Sequence, residues 1–348
     1  MLKHSFLYRL VLLLVPVFIF ISAPAHGSGN AELDNAKKLF NNGEINKAVP
    51  ILEKLIATST LSPADRVEAW EYLAFCHVAR QQNARVQDCF AKIIQIQSDY
   101  RPPESLHSHP GLMRAFYGAS KESGNGMLPP ITAPGGIKTV AVLDFDNNSI
   151  DDVERLANLG KGLADILITD LAALSKLKVV ERERIQFVMS EIAISDSTVK
   201  GRRLVDPQFA VQLGKLMGAQ SVLIGSFMKI GKKLRVDARL VKTETSEVLT
   251  TESVDGGQDE IFDLAKKLVL KVGQNYVKIE KIDQQKLERL QPQAVPLEAN
   301  MIYAEALDKL DQERYAEARQ LLEKALALAP DFEMAQQKLK VLKTFSKA

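Results

Sequence analysis

The stretch "VAVLDFDNNSIDDVER", residues 140–155, sets four aspartates directly behind an apolar run. Read from Lys138, "KTVAVLDF" is almost continuously apolar, the pattern of a strand buried on both faces. The aspartates then pose a choice between a cation-binding loop and the end of a strand passing into a helix. A calcium loop of the helix–loop–helix kind needs oxygen ligands at positions one, three, five and twelve, with glycine at six. Counted from Asp144, the first three fall on Asp144, Asp146 and Asn148, but position six is Ser149 and position twelve is Arg155. The loop lacks both the glycine turn and the bidentate acid, and a strand precedes it where that motif requires a helix. The spacing therefore predicts that Asp146 to Asp152 cap the next helix and complement its positive end, with a looser cation site as the lesser alternative.

Working outward, Leu156, Leu159, Leu163, Leu167, Leu171 and Leu174 step at three- and four-residue intervals and predict a long helix. "KLKVVER" reads as a short strand, "ERIQFVMSEIAI" as a helix, and "DPQFAVQLGKLMGA" as a helix opened by aspartate and proline. Three strands follow: "SVLIGSFMKI", "KKLRVDARLVKT" and "SEVLTTESV". In the middle one Leu234, Val236, Ala238 and Leu240 share a face opposite Arg235, Asp237 and Arg239, so one side is wet. A helix over about 258–279 turns Ile261, Leu264, Leu268 and Val272 inward. The expected class is α/β, with a central unit over 137–280.

Helical blocks flank that unit. "AELDNAKKLFNNGEINKAVPILEKLIAT" (31–58) places two short helices about Asn42-Gly43, and the block from Trp70 repeats the theme. "YAEALDKLDQERYAEARQLLEKALALAPDF" (303–332) does so again, with Ala306, Tyr315, Ala318, Leu322, Ala325 and Pro330. Small residues at helix crossings, aromatics in the gaps and a closing proline resemble the tetratricopeptide repeat. "SKESGNGMLPPITAPGG" (120–136) and "QPQAVPLEAN" (291–300) read as linkers that isolate the middle. The expected organisation is N-terminal repeats 30–118, a linker 119–136, the α/β unit 137–280, a linker 281–298 and a C-terminal repeat 299–346. If the repeats form a groove, their register puts Lys37, Asn41, Glu71, Phe75 and Val78 on its inner helices as partner-binding residues; repeat-on-repeat packing is the other reading of these positions.

Ahead of the repeats, Lys3 and Arg9 precede the apolar run Leu10 to Ile21, and Ala23-Pro24-Ala25 offers a signal-peptidase site. A cleaved signal peptide 1–25 is expected, with an uncleaved anchor as the alternative; Pro16 and the short run weigh against the anchor. Without Lys3 and Arg9 the chain holds 43 basic and 43 acidic residues, a balance that argues against a nucleic-acid partner. Cys76 and Cys89 lie in helical sequence in what would be an oxidising compartment, and geometry decides whether they pair.

Chemical motifs are sparse. "LGKGLAD" (159–165) lacks the spacing of a phosphate loop and lies inside the leucine pattern, which favours helix packing. His107 and His109 lack a third metal ligand nearby, and His77 sits on an apolar helix. Glu181-Arg182-Glu183-Arg184 joins a strand to a helix and reads as a salt-bridged turn. No nucleophile motif is present, so no enzyme activity, cofactor or metal is expected.

"KTVAVLDFDN", "GLADILITDLAAL", "LKVVERERIQFVMSE", "LGKLMGAQSVLIGSF" and "KLRVDARLVKTETSEVL" resemble, in order and spacing, the CsgG-like family over about 137–280. The strongest markers are Val140 to Phe145, Val179 to Arg182 and Gly218 to Gly225. The resemblance implies an α/β sandwich, a non-enzymatic module facing the periplasm that assembles into rings or docks on envelope proteins. The family includes a curli secretion channel subunit and activators of penicillin-binding proteins. Channel-forming members resemble lipoproteins and insert extra membrane hairpins. Here no cysteine lies near the cleavage site, and residues 221–255 carry one aromatic, Phe227, where a membrane barrel has aromatic girdles. A pore is therefore not expected. The expected function is an assembly or secretion component in the periplasm that binds cell-envelope proteins or peptides, with homo-oligomerisation through the α/β unit and peripheral contact with the outer membrane as further expectations. The alternative is a regulator that binds and activates a cell-wall synthase.

Overall fold

A computed structural model describes residues 30–58, 61–103, 106, 107, 109–124, 128, 131, 138–173, 177–195, 203, 204, 206–277 and 295–345. The expected signal peptide, Leu174 and most of both expected linkers lie outside these residues.

Five helices open the described chain: α1 Ala31–Asn41, α2 Ile45–Ala57, α3 Pro63–Ala79, α4 Asn83–Ile96 and α5 Pro110–Ser123. Local chemistry sets their ends. The Asn30 side chain accepts the Glu32 and Leu33 amides at 3.0 and 3.2 Å, and Ser62 caps α3 just before Pro63. Gly43, at φ +80°, turns α1 into α2, with its amide donating to Phe40 and that of Glu44 to Leu39. Ala36, Ala48 and Ala74, all fully buried, leave room where these helices pack. Helix α5 runs to Ser123, past the expected linker start at 119.

The central unit comprises β1 Lys138–Val142, β2 Asp146–Asn147, α6 Leu159–Ala172, β3 Leu177–Val179, α7 Arg182–Ser195, α8 Pro207–Met217, β4 Ser221–Ile230, β5 Lys233–Lys242, β6 Val248–Gly257 and α9 Ile261–Val277. The sheet order is β3-β1-β4-β5-β6, with β2 pairing β4 off that path. Strand β1 is parallel to β3 and β4, whereas β4, β5 and β6 form an antiparallel meander. Side chains alternate across β1 as a strand covered on both faces requires. Val140 and Val142 pack with α6 and α9, while Ala141 and Leu143 pack with α7 and α8. The class is mixed α/β, as the alternation of patterns predicts.

Three helices close the described chain: α10 Leu297–Asp311, α11 Tyr315–Leu328 and α12 Glu333–Phe345. Helix α10 lies along α6, and α12 reaches α3. The expectation that linkers isolate the centre needs correction. One hydrophobic core runs from α1–α5 through α7 and α8 to the face of the sheet holding Ala141, Leu143, Val222 and Ile224. The rings of Tyr117 on α5 and Phe187 on α7, 5.8 Å apart, mark the junction. A second core fills the opposite face and takes in Leu297 and Met301 of α10. Among the described residues no helix is long and apolar enough to cross a membrane.

Candidate functional site

The N-terminal helices hold the five residues expected to meet a partner. Lys37 extends from α1 to Glu68 of α3, Nζ to Oε1 2.6 Å, and lies 5.7 Å from the Tyr72 ring centre. Asn41 is exposed at the end of α1. Glu71 accepts the Tyr100 hydroxyl at 2.6 Å, and burial pushes its carboxyl up to about 7. The structure places Phe75 and Val78 inside the array instead of on its surface. Phe75 packs with Phe40 and Tyr72 at ring distances of 5.9 and 5.5 Å, so helix-on-helix packing takes it. Lys37, Asn41 and part of Glu71 remain to face solvent. The C-terminal helices close on the same array. Asn83 donates to Glu313 at 2.7 Å, Arg114 pairs with Glu313 at 3.3 Å, and it donates to the Asp311 carbonyl at 2.9 Å.

The densest polar chemistry gathers where β3 passes into α7. Glu181, Arg182, Glu183 and Arg184 do not form a self-contained salt-bridged turn; each reaches elsewhere. Glu181 accepts from His107 Nδ1 at 3.0 Å and from the Tyr117 hydroxyl. Arg182, buried, donates to Asp144 at 3.0 Å and to Asp311 of α10 at 2.8 Å. Glu183 meets Lys338 of α12 at 3.3 Å, and Arg184 lies 5.8 Å from the Tyr117 ring centre. Lys161 of α6 pairs with Asp308 and Asp311 at 3.0 and 2.7 Å, and the Tyr303 hydroxyl donates to Asp165 at 2.5 Å. Burial disfavours the charges on Arg182 and Lys338. Asp311 and Asp144 outweigh it for the guanidinium, Asp165 and Glu183 for the ammonium, and both pKa values rise above the ordinary range. The four residues fasten the sheet to both helical arrays.

The aspartates behind β1 divide among separate partners. Asp144 takes Arg182; Asp146 accepts the Leu204 amide at 3.3 Å and pairs with Arg203 at 3.4 Å. Asp151 accepts the Gly231 amide at 2.8 Å, and Asp152 pairs with Lys229 at 2.9 Å. The predicted helix cap is not their role: α6 starts later, at Leu159, and Asn158 before it makes no side-chain capping bond. These carboxylates tie the 143–158 segment to the β4–β5 hairpin, to the start of α7 and to Arg203 and Leu204 ahead of α8.

The other residues singled out in the sequence are structural. His107 and His109 diverge. His109 Nδ1 accepts the Leu112 amide at 3.1 Å, and burial pushes the ring down to about 4. His77 bonds Gln82 at 2.8 Å, and burial lowers its pKa. Cys76 and Cys89 are free and buried, each thiol pushed up to about 12 by that burial. Gly160 allows α6 to approach the strand end, because a Cβ there would stand 1.9 Å from the Phe145 carbonyl oxygen. An open cleft of about 920 Å³ at the far end of the sheet has Lys138, Lys215, Lys242, Gln220, Thr243 and Glu244 in its lining, a set without paired acid, base and nucleophile. Among the described residues no group of three or more His, Cys, Asp or Glu is placed to hold a metal ion.

Residues 129–235 match the family model for the curli production assembly/transport component CsgG. The chain thus carries a CsgG-type domain. The match ends at Arg235, early in β5, whereas the sheet and α9 continue beyond it. The chain is also similar to the putative adenylate cyclase 3 of Rhizobium meliloti (strain 1021), 28% identical over 124 residues. That similarity covers 36% of this chain but only 18% of the relative's length. Among solved structures it is similar to the LpoB C-terminal domain from Salmonella enterica, at 19% identity and a TM-score of 0.28, over 36% of this chain and 87% of that one. Lipoprotein GNA1162 from Neisseria meningitidis is similar at 17% identity and a TM-score of 0.27, over 34% and 79% of the two chains.

Proposed function

We propose that this chain is a non-enzymatic assembly or secretion component of the bacterial cell envelope, working in the periplasm through protein–protein binding. The observation that carries the reading is the CsgG-type domain at 129–235. The geometry supports it: buried Arg182 and Glu183 of that domain are engaged in ties to flanking helices, and among the described residues no reactive set converges on a cleft. The flanking helices are tetratricopeptide-type repeats in this reading. Lys37, Asn41 and Glu71 form the solvent-facing part of the partner surface, the partner being an envelope protein or an extended peptide. The α/β domain supplies contacts between copies of the chain, and the assembly lies peripherally on the outer membrane.

The test is crosslinking in intact cells from a photoreactive residue at Asn41, an exposed position that makes no core contact. Recovery of outer-membrane assembly or secretion proteins supports the reading. Recovery of a cell-wall synthase instead moves the chain to the regulator alternative. Saturable hydrolytic or nucleotide-cyclising turnover by the purified chain overturns the non-enzymatic reading altogether.

A further inference from the structure

Both ring nitrogens of His107 face acceptors. Nδ1 lies 3.0 Å from Oε1 of Glu181, and Nε2 lies 2.8 Å from the carbonyl oxygen of Pro102. A carboxylate and a peptide carbonyl can only accept, whereas a neutral imidazole donates from one nitrogen alone. The two bonds therefore coexist only when the ring is an imidazolium, with a proton on each nitrogen. Deprotonation leaves a ring lone pair facing an oxygen lone pair at one of the two contacts.

The position of the ring gives this chemistry a consequence. His107 belongs to the connection between α4 and α5, while Glu181 stands at the entry to α7 in the sheet unit. We propose that His107 is a proton-operated clamp that fastens the N-terminal helical array to the α/β domain when the ring is charged and loosens it when the ring is neutral.

Among the described residues, several charged and titratable groups act on the clamp. Glu181 also accepts from the Tyr117 hydroxyl of α5, and Arg184 of α7 lies against that tyrosine ring. Lys178 of β3 acts on Glu181, and Arg101, in the same connection as His107, acts on Arg184. Burial works to raise the Glu181 pKa, but His107, Tyr117 and Lys178 outweigh it and hold the carboxyl below its ordinary range. While the ring is charged, the carboxyl is thus held in its ionised, accepting form, and the histidine proton is what the contact gains or loses. The ring is 22% exposed, which gives protons from solvent access to it. The same connection has a second anchor, Tyr100 on Glu71 of α3, and that carboxyl also titrates near neutrality.

Hydrogen–deuterium exchange of the full chain, corrected for intrinsic rates, tests the clamp in a Glu71→Gln background that removes the second titrating anchor. From mildly acid to mildly alkaline solution, protection over the 97–107 connection should fall about tenfold, as expected for one charge-assisted hydrogen bond. In His107→Gln the residual dependence on pH should vanish. ¹⁵N spectra of labelled histidine in the otherwise unaltered protein should show both His107 nitrogens protonated on the acid side and one proton lost as protection falls. An unchanged pH dependence in His107→Gln overturns the clamp. So does a ring carrying a single proton across the whole range, a readout that does not depend on any variant folding.

Discussion

Arg182 shows how one side chain can hold parts of the chain that lie far apart in sequence. Its guanidinium joins the end of β1, through Asp144, to α10, through Asp311. Removing one member of a buried ion group leaves its partners charged and unsatisfied. Lys161 retains Asp311, so Arg182→Met chiefly deprives Asp144 of its cation, leaving it the Gln186 amide at 3.4 Å. The expected loss is about 3–5 kcal/mol of stability, read from urea denaturation followed by the fluorescence of Trp70, the only tryptophan. Glu71 gives the opposite kind of effect. Its folded carboxyl titrates at about 7 against an ordinary 4.5, so the stability associated with it is complete below 4.5 and lost as pH rises through 7. Glu71→Gln should accordingly stabilise the protein at about pH 8, by on the order of 3 kcal/mol, and change little at about pH 4. Little of this was legible beforehand. Alternating charges at 181–184 look self-satisfying in sequence, because nothing local reveals that Asp311 and Lys338 lie 129 and 155 positions away. The aspartates after β1 misled for the same reason: short polar side chains after a strand suit a helix cap, and here long-range cations and the β4–β5 hairpin compete for them.

At the scale of single elements, sequence and structure agree closely. Period-two alternation placed β4, β5 and β6, and the stepping leucines placed α6, because each pattern reports a face that must be buried. Three helix-to-helix turns have the same backbone form. Gly43, Gln81 and Glu313 take φ of +80°, +57° and +60°, and in each case the next amide donates five residues back: Glu44 to Leu39, Gln82 to His77 and Arg314 to Lys309. Two of these turns place a residue with a Cβ where glycine is at ease. Gln81→Gly should add up to about 1 kcal/mol and Gly43→Ala should cost about as much, both measured as shifts in denaturation midpoint, whereas Glu313→Gly also removes the Asn83 and Arg114 contacts and gains less. The glycines of α6 grade in the other direction. Gly160→Ala drives a Cβ to 1.9 Å from backbone and should cost about 3 kcal/mol or more. Gly162→Ala, at 3.2 Å from the Ala304 methyl, should cost under about 1.5 kcal/mol, with melting temperature as the measure of both.

Across the whole molecule, the segments that punctuate the sequence do not divide the core. The array α1–α5 and one face of the sheet share a continuous apolar interior, and the C-terminal helices are fastened to the sheet unit through Arg182 and Lys338 and to the array through Asn83 and Arg114. Composition reveals a stretch rich in Gly, Pro and Ser, but not whether the flanking units face each other once folded, so the domain boundaries were less legible than the strands. Calorimetry should therefore give a single transition, with calorimetric and van't Hoff enthalpies equal; separate transitions for the array and the sheet would refute the shared core. The pair Cys76 and Cys89 turns that cooperativity into something observable from outside. With thiols pushed up to about 12 and sealed between α3 and α4, neither presents a nucleophile to an alkylating reagent in the native fold. Alkylation then proceeds only as fast as the helices part, so the protein carries a built-in chemical clock for its own opening, one that can be read by mass spectrometry without any engineered residue.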